Sequence, residues 1–310
     1  MKNNIEIMIL EWYKKNARTL PWRENTTYFK TWLSEVMLQQ TQVNTVIPYY
    51  QRWIKKYKNF NDIAQTHLDI LLKDWEGLGY YNRIRNFHKS AIIISNNNKK
   101  YPVKYADLIK MPGVGKYMAG AILSIALKKP YPAIDGNITR ITSRLLCINK
   151  KDKKFSKKIN DYITKVISTK HPGDFNQALM DIGSTICKPR NPKCKICPLN
   201  IYCKAYKNNT VHLYPLNSKK NKKPLIKVCV AILKNKKQFL LTKRINKTFL
   251  NGLWELPGGK IKKGENKKKC IQRSLKESLG INIIKIDSEL SETKHAYSHF
   301  NVLLYPFITS

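Results

Sequence analysis

Cys187, Cys194, Cys197 and Cys203 are spaced C-x6-C-x2-C-x5-C, which puts four soft ligands within 17 residues. Four thiols that close together require a metal or a disulfide framework, and in a chain with no export signal the metal is the better reading. Zinc and an iron-sulfur cluster compete for such a set. Zinc ribbons usually carry two C-x2-C knuckles across a longer spacer, and one knuckle is present. Lys188, Arg190, Lys193, Lys195 and Lys204 surround the set. A loop pinned by a metal can turn those cations toward phosphates, while the plainer alternative is a structural clip with a solvated basic rim. Cys147, Cys229 and Cys270 stand apart in the sequence.

The 310 residues allow two or three domains with real cores. Lys and Arg number 58 against 20 Asp and Glu, a net charge of +38 that favours a polyanionic partner, nucleic acid first. Runs such as 96–100 and 219–223 look like compositional drift, so about half of the excess is assigned to drift. No apolar stretch approaches the roughly 20 residues that span a bilayer, and the apolar patch 5–10 contains Glu6. The expectation is a cytoplasmic, nucleoid-associated monomer with no membrane contact.

Residues 5–206 show helical periodicity, clearest at Ile138, Ile141, Leu145 and Leu146. Residues 212–224 have the Lys- and Pro-rich composition of an exposed linker. Beyond it, 226–233 and 238–244 read as strands, Gly258 and Gly259 as a turn, and 266–279 as a helix. The expected domains are 1–211, all helical with the cysteine loop at 187–203, and 225–310, a small α/β unit.

Met111-Pro112-Gly113-Val114-Gly115 lies between a helix ending near Lys110 and one opening at Lys116. Gly113 and Gly115 let backbone N–H groups approach a phosphate at the head of a helix, although packed helix pairs use the same turn. Downstream, Pro130, Pro132 and Asp135-Gly136 precede the helix at Ile138, where Asp135 suits an N-cap that keeps it ionised. Glu35, Gln39 and Gln42 share one helical face, which by itself is more often solvent-exposed than catalytic.

Further signals change that balance. The block 32–43, Gly77-Leu78-Gly79-Tyr80-Tyr81, Asn176-Gln177-Ala178-Leu179-Met180-Asp181, the hairpin with its Gly/Pro-rich loop and Asp, and the cysteine spacing together resemble the MutY family of adenine glycosylases. That family sits among the helix-hairpin-helix, iron-sulfur base-excision glycosylases. The likeness is continuous over about 5–206 and weaker to the end. It implies an all-α, two-lobed catalytic region, with a barrel lobe around 23–130, a cluster lobe built from both flanks, and one 4Fe-4S cluster on Cys187, Cys194, Cys197 and Cys203. The implied reaction hydrolyses the N-glycosidic bond of adenine mispaired with 8-oxoguanine or guanine in double-stranded DNA. On this resemblance Glu35 protonates adenine N7 as general acid, Asp135 stays charged beneath the sugar, and Asn137 helps hold the pocket. Tyr117 stands where related lyases carry a Schiff-base lysine, so a monofunctional enzyme is implied. Lys116 is expected to point elsewhere, to a phosphate or to solvent. Gln40 and Tyr80 are implied as the wedge that fills the gap when the base is flipped.

Gly259-x5-Glu265-x7-Arg273-Ser274-Leu275-x-Glu277-Ser278-x-Gly280-Ile281 resembles a Nudix box in which Ser274 and Ser278 replace two metal-binding glutamates. Glu265 and Glu277 are too few for an efficient magnesium site, so a Nudix-like fold kept for binding is expected. His295-Ala296-Tyr297-Ser298-His299 resembles the family's recognition loop, with Ser298 and His299 reading 8-oxoguanine; the plainer reading is a polar hairpin tip. The chain stops at Ser310, which implies a shortened second domain. Three rivals have sequence features against them: Tyr117 opposes an endonuclease III-like pyrimidine glycosylase/lyase, Ser274 and Ser278 oppose a nucleotide pyrophosphatase, and the presence of both Glu35 and Asp135 opposes a non-catalytic DNA-binding relic.

Overall fold

The computed structural model describes residues 2–98, 100–215, 223–245, 252–282, 285–297 and 300–309, in two units, 1–218 and 219–310. The first unit is helical: α1 (Lys2–Asn16), α2 (Tyr28–Leu38), α3 (Val43–Lys56), α4 (Phe60–Gln65), α5 (Leu68–Asp74), α6 (Asn82–Asn96), α7 (Tyr105–Leu108), α8 (Lys116–Ala121), α9 (Gly136–Leu146), α10 (Phe155–Val166), α11 (Pro172–Thr185) and α12 (Lys204–Lys207). Side-chain caps open several of these. Thr27 accepts from the Lys30 amide to start α2, Asn59 from Asp62 to start α4, and Asp135 from Ile138 to start α9.

Apolar faces sort the helices into two lobes. Trp32, Trp53, Phe60, Trp75 and Phe87 anchor a core drawn from residues 20–123. Each such aromatic, fully buried, contributes on the order of 3 kcal/mol. The other core joins Ile5 and Ile9 of α1 to Ile138, Ile141, Phe175, Leu179 and Ile182, so the start of the chain completes a lobe otherwise made after residue 137. Ala121, Ile125 and Ala133 form a small cluster of their own, against which Tyr117 and Met180 pack. Among the described residues, no helix is long and apolar enough to cross a membrane.

The helical face expected for Glu35, Gln39 and Gln42 does not form. α2 ends at Leu38, Gln39 is its C-cap, and Gln42 opens α3. Gln39 leaves the helical region with ψ of +114°, and Gln40 after it takes a left-handed φ of +57°.

The second unit holds β1 (Leu225–Asn235), β2 (Gln238–Phe239), β3 (Thr242–Lys243), β4 (Trp254–Glu255), β5 (Gly258–Lys260), α13 (Lys267–Leu279), β6 (Ile286–Glu289), β7 (Thr293–Ala296) and β8 (Asn301–Thr309). β1 runs parallel to β8 from Leu225↔Asn301 to Leu233↔Thr309 and antiparallel to β2 and β5; β8 also pairs with β6 and β7. α13, capped by Asn266 and closed by Gly280, lays Cys270, Ile271 and Leu275 on Cys229, Ala231 and Phe307. Cys229 and Cys270, far apart in sequence, therefore share one core. The expected turn at Gly258 and Gly259 is instead strand β5, because a Cβ on Gly259 would meet Ser274 Oγ of α13 at 2.3 Å and its absence lets the strand lie close beneath the helix. The expected strand 238–244 is split into β2 and β3.

Candidate active site

Glu35 sits three residues from the end of α2 among Leu33, Val36 and Met37, and is 5% exposed. A carboxylate in such a place loses its hydration, and burial raises the Glu35 carboxyl from 4.5 to about 7. The Tyr117 hydroxyl, on the first turn of α8, donates to Glu35 Oε2 at 2.5 Å and pulls the other way, while the nearby charge of Asp135 pushes it further up. Burial raises the Tyr117 hydroxyl well above its usual range, so it stays a neutral donor.

Asp135 is the half-buried N-cap of α9. Its Oδ1 accepts from the Ile138 amide at 2.7 Å and its Oδ2 from Asn137 Nδ2 at 2.8 Å. Burial moves its carboxyl above the usual value; these hydrogen bonds and Arg140 oppose the rise. Asn137 is held in turn by Arg140, whose guanidinium also reaches the carbonyls of Gly183 and Cys187, both at 2.7 Å. α11 comes close to this point: a Cβ on Gly183 would lie 2.5 Å from Asn137 Cβ. Asn176 fixes the loop before Asp135, bonding Ser124 Oγ, the Tyr131 carbonyl and the Ala133 amide.

Asp181, at the end of the 176–181 segment, is fully buried and binds two arginines. Arg23 bonds both its oxygens at 2.7 and 3.0 Å, and Arg18 Nε donates at 2.6 Å. Burial pushes the Asp181 carboxyl up, but these bonds outweigh it and hold it below the usual range. Arg23 in turn lowers Glu35. The signal available was an acid among apolar residues on α11, which needs a cation; nothing local named Arg18 or Arg23 as its source.

Of the remaining expected DNA-binding residues, five lie in the first unit. Gly113, Gly115 and Lys116 are exposed at the hairpin, where α8 opens on Gly115 without a side-chain cap. Gln40 and Tyr80 are exposed, both with left-handed φ, +57° and +49°. Ser298 and His299 lie outside the described residues, between β7 and β8.

Cys187, Cys194, Cys197 and Cys203 are half-buried free thiols lining one pocket with Arg144 and Ile186. Arg144 donates to Cys187 Sγ at 3.2 Å and to the Lys188 and Pro189 carbonyls. Among the described residues, no three His, Cys, Asp or Glu side chains close on a single metal ion. In the second unit, Arg273 bonds Glu265 at 2.7 and 2.9 Å and Glu277 at 2.8 Å, which engages both remaining Nudix-box glutamates in ion pairs.

Residues 33–165 match the HhH-GPD superfamily of base excision DNA repair proteins, and 228–310 match the NUDIX domain. The thermostable thymine-DNA glycosylase of known structure has a TM-score of 0.60 at 26% identity, covering 67% of this chain and 97% of that one. An adenine DNA glycosylase of Buchnera aphidicola subsp. Baizongia pistaciae (strain Bp) is 42% identical across 96% of this chain and 84% of its own length. Another, from Buchnera aphidicola subsp. Schizaphis graminum (strain Sg), is 38% identical across 98% and 86%. Similarity at that level extends through both units, and the chain belongs to the MutY family of adenine DNA glycosylases, base-excision repair enzymes that hydrolyse N-glycosyl bonds.

Proposed function

We propose that this enzyme, acting as a monomer on nucleoid DNA, excises adenine mispaired with 8-oxoguanine or guanine, with Glu35 and Asp135 as its divided carboxylate pair. One observation carries the reading: a carboxyl raised to about 7 by burial and held by the Tyr117 hydroxyl, with a hydrogen-bonded carboxylate close enough to affect it. Breaking an N-glycosidic bond requires a proton on the departing base and a stabilised sugar cation, and two carboxyls with different environments supply both. At neutral pH a substantial fraction of Glu35 carries its proton. Tyr117 occupies Oε2, which leaves Oε1 to donate to adenine N7. Asp135, tied to the head of α9, faces the developing positive charge, and Asn137 holds its second oxygen. Water then captures the sugar.

Tyr117 cannot form a Schiff base, so the enzyme is monofunctional, with at most weak strand cleavage. Gln40 and Tyr80 open the stack, and Gly113, Gly115 and Lys116 meet a phosphate. Cys187, Cys194, Cys197 and Cys203 hold one 4Fe-4S cluster, which when bound pins the 187–203 loop and its lysines. Ser298 and His299 read the opposite base.

Single-turnover excision on duplexes with A opposite 8-oxoguanine, guanine and thymine tests the reading. Glu35→Gln and Asp135→Asn are each expected to slow excision strongly while retaining duplex binding; near-normal chemistry in either overturns the assignment. Ser298→Ala with His299→Ala is expected to lose about 1 to 3 kcal/mol of preference for 8-oxoguanine and much less on A opposite G. Tyr117→Lys is expected to yield a borohydride-trapped covalent complex with DNA.

A further inference from the structure

Arg83, on the first turn of α6, is 8% exposed and has no carboxylate partner among the described residues. Its charge is met by carbonyl oxygens instead. One terminal nitrogen donates to Val36 at 3.1 Å, Met37 at 2.7 Å and Gln39; the other donates to Leu78 at 3.0 Å and Gly79 at 3.1 Å. The first set is the open carbonyl end of α2, where helix geometry leaves acceptors unpaired and the dipole is negative. The second set belongs to the turn before α6. The guanidinium also stacks 5.2 Å from the Trp75 ring centroid and 5.5 Å from that of Tyr80.

Immediately after each set of carbonyls comes an exposed residue with left-handed backbone, Gln40 and Tyr80. For residues with a Cβ that conformation is strained, and it persists only where the surroundings impose it. Arg83 donates to carbonyls of both turns.

We propose that Arg83 is a positioning residue that ties the Gln40 and Tyr80 turns into a single rigid wedge, so that opening the base stack requires no ordering of two separate loops. The inference rests on the reading of Gln40 and Tyr80 as the wedge. Flipping a base costs unstacking energy, and a wedge already in shape adds no entropy loss to that cost. A planar five-donor fork suits the task; an ammonium at the same place keeps the charge but cannot span both sets of carbonyls.

The test uses Arg83→Lys on a duplex with 2-aminopurine in place of the target adenine, whose fluorescence rises on unstacking. The variant is expected to give a smaller fluorescence rise and about tenfold slower single-turnover excision, with the pH midpoint of excision unchanged because Glu35 is untouched. A full fluorescence rise in Arg83→Lys overturns the clamp, as does a displaced pH midpoint. The double variant Gln40→Ala, Tyr80→Ala separates the two ideas. If it also keeps the full rise, the wedge reading fails and the clamp with it; if it loses the rise while Arg83→Lys keeps it, only the clamp fails. Should Arg83→Lys not fold, hydrogen exchange on the unaltered protein decides. The Thr41 and Leu78 amides, which close the two turns on Leu38 and Trp75, are expected to open together, and protection differing by more than about tenfold overturns the proposal.

Discussion

At Glu35, the proposed general acid, the burial that would favour activity at neutral pH acts against stability there. Its carboxyl rises from 4.5 to about 7 because the folded chain strips water from it, so the fold favours the protonated form. The sign follows from linkage. The folded value lies above the unfolded one, so the contribution is fully present below about 4.5 and is lost as pH rises through about 7, a difference of about 3 kcal/mol. Glu35→Gln, which has no proton to lose, is therefore expected to unfold at a higher temperature than the parent at pH 8, with the gap closing below about pH 5. The same substitution is expected to slow excision by about 10²- to 10⁴-fold, the range for a lost general acid. Excision by the parent should decline as pH rises through about 7, which a single-turnover pH profile measures directly.

At the scale of elements, α11 packs against α9 at Asn137, beside the proposed carboxylate pair. Gly183→Ala would drive a methyl to 2.5 Å from Asn137 Cβ, so Asn137 or the helix must shift. The expected outcome is a stability loss of about 1 to 3 kcal/mol by thermal unfolding. Single-turnover excision should fall at least about tenfold, since a small displacement of Asn137 moves the partner of Asp135. α9 also carries Arg140 and Arg144, which bond the Cys187 carbonyl and sulfur, so the cysteine loop is braced by the helix that Asp135 caps. Protein purified without oxygen is expected to be brown, with iron bound and broad absorption near about 400 nm. Stoichiometric zinc without iron would overturn the cofactor assignment.

For the whole molecule, a net charge of +38 sets the field in which any duplex approaches. If the surface binds about 6 to 10 phosphates, affinity measured by fluorescence anisotropy should fall about 10³- to 10⁵-fold between roughly 50 and 200 mM salt. A shallow slope would assign most of the lysines to composition alone. The two units divide the chain at residue 218, and each matches its own family, one of base-excision repair proteins and one of NUDIX domains.

Features written in a short span of sequence are legible in the sequence alone. The cysteine spacing, the glycine hairpin, Asp135 as a cap and the α13 helix between Asn266 and Gly280 each depend on contacts within a turn or a loop, where spacing and geometry coincide. The short strands after α13 carried no such mark, since each is stabilised by its pairing with β8 rather than by its own residues. Glu35 read by itself as a solvent-facing residue, and only the packing of α2 into the first core made it an acid held near neutrality. Tyr117 meets it from 82 residues away, Arg83 reaches Gln39 across 44, and Arg18 reaches Asp181 across 163. Local chemistry cannot choose such partners: burial and ion pairing at these sites depend on which distant side chains the tertiary structure brings into contact, and the desolvation that gives them their strength exists only once it has done so.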